Sequence, residues 1–90
     1  MSHVMTVLGP LPPLDLGTTD AHTHAWIEPV AGADLHELIH DDQEGICRDL
    51  AAYRELGGRT IIDCQPALCG RSGLKLRRLS QAAGVHIVAC

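Results

Sequence analysis

The feature that most constrains the fold is the block "RELGGRTIIDCQPALCGRSGLKLRRLSQAAGVHIVAC" at 54–90. Two short apolar runs, "RTIIDC" and "VHIVAC", read as strands buried on both faces, because they are too short for helices and rich in β-branched residues. Between them, Leu74, Leu76, Leu79 and Ala83 recur at helical spacing, and Gly84 supplies the stop. An earlier helix starts at Asp41 or Asp42, repeats Ile46, Leu50, Tyr53 and Leu56 every three or four positions, and ends at Gly57-Gly58. Upstream, "LGTTDAHTHAWI" favours an extended strand through Thr18, Thr19, Thr23, Trp26 and Ile27, and is closed by Pro29 and Gly32. Residues 4–8, "VMTVL", predict a short hairpin or lead-in strand before a turn forced by "GPLPP". The order strand, helix, strand, helix, strand is that of right-handed βαβ units on a parallel sheet.

Ninety residues, 46% hydrophobic and 20% charged, are ordinary material for one globular unit, and residues 1–90 are read as part of a single domain. With one Trp, one Tyr and no Phe, the core must be built from Leu, Ile, Val and Ala. A net charge of −4 with seven Lys and Arg argues against nucleic acid or an anionic membrane surface as partner. The start "MSHVMTVLGPLPPLDLG" lacks a basic signal-peptide head, and no window approaches the ~18 apolar residues of a membrane span. The expectation is a cytoplasmic protein whose Cys47, Cys64, Cys69 and Cys90 are reduced thiols. A three-stranded parallel sheet exposes two edges, which favour pairing with further strands or with copies of the chain as a homo-oligomer.

Two histidine pairs compete for the role of metal ligand. "HELIH" at 36–40 matches the His-Glu-x-x-His pattern, in which two His one helical turn apart grip zinc and the Glu acts as general base. Here the stretch allows about two turns of helix, below the ~12–15 residues needed for stability alone, and Glu55 is the one downstream carboxylate positioned as a third ligand. In "DAHTHAW" at 20–26, strand alternation sends Asp20, His22 and His24 to one face, so both imidazoles reach one ion from one strand. The pair also falls near the strand's C-terminal end, where parallel α/β folds place their active sites.

"VMTVLGPLPPLDLGTTDAHTHAW", together with the 54–90 block, resembles the N-terminal third of the phosphotriesterase family of the amidohydrolase superfamily. The more specific part is the succession of helix, Gly-Gly-Arg-Thr, apolar strand ending in Asp63, Gly70-Arg71 loop, helix and "GVHIVA". The resemblance implies a (β/α)₈ TIM barrel of which this chain supplies the first three parallel strands and two helices, preceded by a short N-terminal hairpin. It implies a two-metal centre, with zinc the usual ion, in which a metal-bound hydroxide attacks a phosphotriester, lactone or related small-molecule ester. By the same resemblance His22 and His24 are metal ligands, and the remaining ligands come from strands beyond this stretch, so the chain alone is expected to be inactive. Two positions depart from the family pattern: Thr23 replaces the Glu of His-Glu-His, leaving the superfamily form Asp-x-His-x-His, and Ser72 stands where Asp or Asn is common.

Smaller expectations attach to single residues. Asp63 is placed to orient a metal-bound His or to cap the following loop. Trp26 shares the parity of the two His and either lines the site or packs beneath the loop. Arg71 is read as an ion pair or loop tie. Two alternatives stay open: a small non-catalytic zinc module in which Cys64 and Cys69 join His22 and His24 as a Cys₂His₂ site, and a zinc protease built on His36, Glu37 and His40.

Overall fold

The computed structural model describes residues 3–32, 38–66 and 69–90. Its order is β1 (Val4–Thr6), β2 (Gly9–Leu11), a 3₁₀ turn (Pro13–Asp15), β3 (Thr19–Thr23), α1 (Gln43–Glu55), β4 (Thr60–Asp63), α2 (Gly73–Ala83) and β5 (His86–Ala89). β1 and β2 form an antiparallel hairpin, while β3, β4 and β5 form a parallel sheet in that order. The mixed α/β architecture, with its parallel βαβαβ series and antecedent hairpin, is the one read from the sequence. One detail differs. The chain reverses at Val7-Leu8, and "GPL" is the returning strand rather than the turn. Pro10 is tolerated there because the hairpin leaves one side of each strand free of ladder bonds.

Local chemistry explains both helices. Asp42 caps α1 by accepting from the Gly45 amide, and Ser72 caps α2 by accepting from the Lys75 amide. Ser, Asp and Asn are near-equivalent caps, so Ser72 suits the start of this helix. Gly84 closes α2 in the left-handed conformation, φ 70°. The buried faces are Ile46 and Leu50 on α1, and Leu76, Leu79, Ser80 and Ala83 on α2.

These faces share one core with Ala25, Trp26, Ile61, Val85 and Ile87. Ile61 and Ile87 are direct partners across the β4–β5 ladder, and Leu76, Leu79 and Ile87 are fully buried. Burying a Leu or Ile side chain is worth about 1.5–3 kcal/mol, so this contact is what joins helices to sheet. On the other face of the same ladder, Ile62 and Val88 stay half-exposed. The hairpin joins the unit where the Val7 amide donates to the Ile87 carbonyl at 2.9 Å.

At the base of the sheet Tyr53 acts as a tether. Its hydroxyl lies 2.8 Å from the Thr60 carbonyl and 3.2 Å from the Thr18 carbonyl, and accepts from the Asp20 amide at 3.0 Å. One side chain thereby ties the end of α1 to the starts of β3 and β4. Gly58 is required beneath it: a Cβ there would lie 2.3 Å from Tyr53 Cζ.

Candidate functional site

Three parallel strands end on the same side of the molecule, and the residues at those ends make the site. β3 reaches it through a register irregularity. Asp20 pairs with Ile61 but Thr23 pairs with Asp63, so β3 carries one residue more than β4 between those points. The Asp20 carboxylate stabilises the bulge by accepting from the His22 amide at 3.1 Å. Bulges commonly re-aim side chains beside active sites. The His22 and His24 rings meet edge to face, centroids 5.2 Å apart, and both are exposed. Two residues apart, the histidines share a side as strand alternation predicts, while the carboxylate of Asp20 is occupied with its own strand.

Beyond His24 the chain turns into the core. Ala25, Trp26 and Ile27 are all buried. Trp26 is packed beneath the loop; its Nε1 donates to Glu28 Oε1 at 2.8 Å, and Lys75 Nζ sits 5.5 Å from the ring centroid. The Ala25 amide donates to Asp63 Oδ1 at 2.8 Å. Asp63 therefore fastens the backbone next to His24, and makes this bond rather than one to an imidazole. Its other oxygen, Oδ2, is buried and without a hydrogen-bond partner among the described residues. Burial raises the Asp63 carboxyl above its ordinary value, opposed by the Ala25 amide bond and then by the charge of His24.

Gln65, which the sequence reading passed over, makes the contact to the ring: His24 Nδ1 lies 2.9 Å from Gln65 Oε1. The signal available was its place two residues past Asp63, at the end of the strand next to β3. Gln65 is buried, and its Nε2 donates to the Cys69 carbonyl.

The loops after the strands are bound to one another. The Glu28 amide donates to the Gly70 carbonyl at 2.9 Å, and Gly70, φ 90°, could not carry a side chain, since a Cβ would lie 2.5 Å from the Glu28 carbonyl oxygen. Arg71 donates to the Cys90 carbonyl and so acts as a tie between the β4 loop and the end of β5.

The two competing constellations fare differently. His36 and Glu37 of the protease-like motif lie outside the described residues. His40 exchanges both backbone bonds with Ile27, each 2.9 Å, in an isolated antiparallel bridge. That is extended backbone, where the protease motif needs its second His on a helix. His22, His24, Cys64 and Cys69 do not converge either: among the described residues no group of three or more His, Cys, Asp or Glu is placed to hold an ion. Cys64 turns its Sγ toward the Ile62 carbonyl at 3.7 Å. The Cys₂His₂ arrangement is thus not formed.

A family model described as the phosphotriesterase family matches residues 2–90. The chain belongs to the phosphotriesterase family. It is similar to a phospho-furanose lactonase from Mycoplasmopsis agalactiae, 30% identical over 82 residues, covering 88% of this chain and 23% of that protein. An N-acetyltaurine hydrolase from Danio rerio is 27% identical over 96% of this chain and 33% of its own length. Among solved structures, a lactonase from Listeria monocytogenes superposes with a TM-score of 0.86 at 31% identity, covering 98% of this chain and 27% of that one. The chain thus spans about a quarter to a third of the length of these relatives, and corresponds to the first three strands and two helices of a (β/α)₈ barrel. No described helix is long and apolar enough to cross a membrane.

Proposed function

We infer that this chain carries the first metal-binding arm of a metal-dependent hydrolase of the phosphotriesterase type, acting on a small-molecule ester such as a lactone or phosphotriester. The observation that carries this reading is the edge-to-face pair His22–His24, 5.2 Å apart and exposed at the C-terminal end of β3. The donor chemistry fits a divalent ion of the zinc type, which takes neutral imidazole readily. Two imidazoles satisfy part of a coordination sphere, so the other ligands must come from outside this stretch, and the chain by itself is expected to be inactive.

A bound divalent ion would supply Lewis acidity and lower the pKa of a coordinated water. The protein's own residues do the rest. The Asp20 bulge aims His22, and Gln65 holds the His24 ring. Asp63 fixes the backbone that follows His24, and Trp26 fills the space below, so the two rings stand on a packed floor rather than on a mobile loop. Such support matters because loosely held ligands lose metal affinity. Lactones are the favoured substrate class, since lactonases lie among the relatives at 30% and 31% identity.

The test is zinc content and hydrolysis of a panel of lactones, a phosphotriester and N-acetyltaurine by the intact protein. His22→Ala and His24→Ala are each expected to lower metal content and abolish hydrolysis. Full metal occupancy with undiminished turnover in both variants would refute the reading, and selective cleavage of N-acetyltaurine would replace the ester with an amide.

A further inference from the structure

The contact between Gln65 and His24 settles where the imidazole proton sits. Gln65 is buried and its side-chain amide meets two partners, the Cys69 carbonyl oxygen on one side and His24 Nδ1 on the other. A carbonyl oxygen can only accept, so the amide group facing Cys69 is the NH₂, and the group facing His24 is the oxygen. An amide oxygen also only accepts. His24 Nδ1 must therefore donate across the 2.9 Å contact, and in the neutral ring the lone pair is then left on Nε2.

The Gln65 side chain has little freedom to do otherwise. It follows Asp63 and Cys64 at the end of β4, where the Cys64 amide donates to the Thr23 carbonyl at 2.7 Å, so the backbone carrying Gln65 is bonded directly to the backbone carrying His24. Pro66 stiffens the next position by fixing φ. His24 is exposed, and without this acceptor both tautomers and several ring rotations would be open to it.

We propose that Gln65 is a positioning residue for His24: it holds the ring in the Nδ1–H tautomer and fixes its rotation, presenting Nε2 as the ligand atom. The proposal rests on the metal-binding reading of His22 and His24. A neutral amide does this work without adding negative charge beside the ring, whereas the nearby buried carboxylate, Asp63, is committed to the Ala25 amide.

The experiment uses the intact protein labelled with ¹⁵N-histidine. Imidazole ¹⁵N spectra of the metal-free form give the His24 tautomer, and a Zn²⁺ titration gives affinity for wild type, Gln65→Leu, Gln65→Glu and His22→Ala. Wild type is expected to show Nδ1–H at His24. Gln65→Leu should give mixed tautomers and bind Zn²⁺ about 10–100-fold more weakly, the usual effect of removing a ligand's hydrogen-bond partner. Gln65→Glu, which keeps an acceptor in reach of Nδ1 although it loses the donor to the Cys69 carbonyl, should restore the Nδ1–H tautomer. An Nε2–H ring in wild type overturns the proposal, and so does a Gln65→Leu protein with unchanged tautomer and affinity. If Gln65→Leu does not fold, the tautomers of wild type and Gln65→Glu decide, and an Nε2–H ring in either overturns the proposal. A wild type with the Nδ1–H ring that nevertheless binds no Zn²⁺, or binds it equally after His22→Ala, would instead overturn the metal reading, and the tautomer spectrum tells the two failures apart.

Discussion

Replacing Gly58 by Ala tests whether the Tyr53 tether governs the placement of the histidine arm. The backbone itself does not oppose the change: Gly58 is not among the residues with positive φ. An added Cβ would meet Tyr53 Cζ at 2.3 Å and Cε1 and Cε2 at 2.4 Å. Carbon atoms rest at about 3.5 Å, so the ring must retreat by roughly 1 Å. The hydroxyl bonds to the Thr60 carbonyl, now 2.8 Å, and from the Asp20 amide, now 3.0 Å, would both be stretched past hydrogen-bond range. Two lost bonds at about 1 kcal/mol each, with about 1–3 kcal/mol of overpacking, give a loss of roughly 3–5 kcal/mol. The Ala also restricts the unfolded chain, which returns about 0.4–1 kcal/mol. The expected net destabilisation is about 2–4 kcal/mol in urea denaturation of the intact protein. In a Tyr53→Ala background the clash is gone, and the same substitution should be neutral or slightly stabilising. Equal destabilisation in both backgrounds would refute the reasoning, since a cycle without coupling means that the two positions do not act through each other.

Further outcomes follow from the same geometry. Because burial raises the Asp63 carboxyl, the folded state favours its protonated form. That contribution is present below its unfolded value near 3.8 and is lost as pH rises through the raised folded value, so in chelator-treated protein wild type should lose stability relative to Asp63→Asn over that rise. A gain instead would contradict the assignment. Asp63→Ala should cost about 1–3 kcal/mol at low pH as well, because the Ala25 amide loses its buried acceptor, and thermal melts of the three proteins at two pH values check both statements. Gly70→Ala places a side chain on the Glu28 carbonyl in a positive-φ backbone; amide exchange at Glu28 should accelerate, and unchanged exchange would mean that the loop tie is unimportant.

The order of elements was legible because each carries a local signal. Asp42, Ser72 and Gly84 mark helix ends by side-chain and backbone chemistry that operates within a few residues, and "TIID" and "HIVA" are strands by composition. Parallel pairing followed from the alternation of those elements, and with it the gathering of His22, His24 and Asp63 at one end of the sheet. The spacing of two between the histidines likewise foretold that their rings would lie together.

What the sequence alone could not decide depends on partners distant along the chain. The motif "HELIH" looked like a helix on local grounds, yet His40 is drawn into an extended bridge by Ile27, a residue thirteen positions earlier whose free backbone groups needed satisfying. Cys64 and Cys69 carry the right atoms for a zinc site, but β4 and its loop do not aim them at the histidines. Asp63, the obvious carboxylate partner for an imidazole, is turned to the Ala25 amide, and Gln65 takes the ring, because the β3–β4 register sets which side chain stands opposite His24. Local sequence determined the elements, their order and the pairing of two histidines on one strand, through interactions that reach only a few residues. Tertiary structure decided which neighbours hold those histidines, because a bulge of one residue and the register between two strands determine which polar atoms face each other.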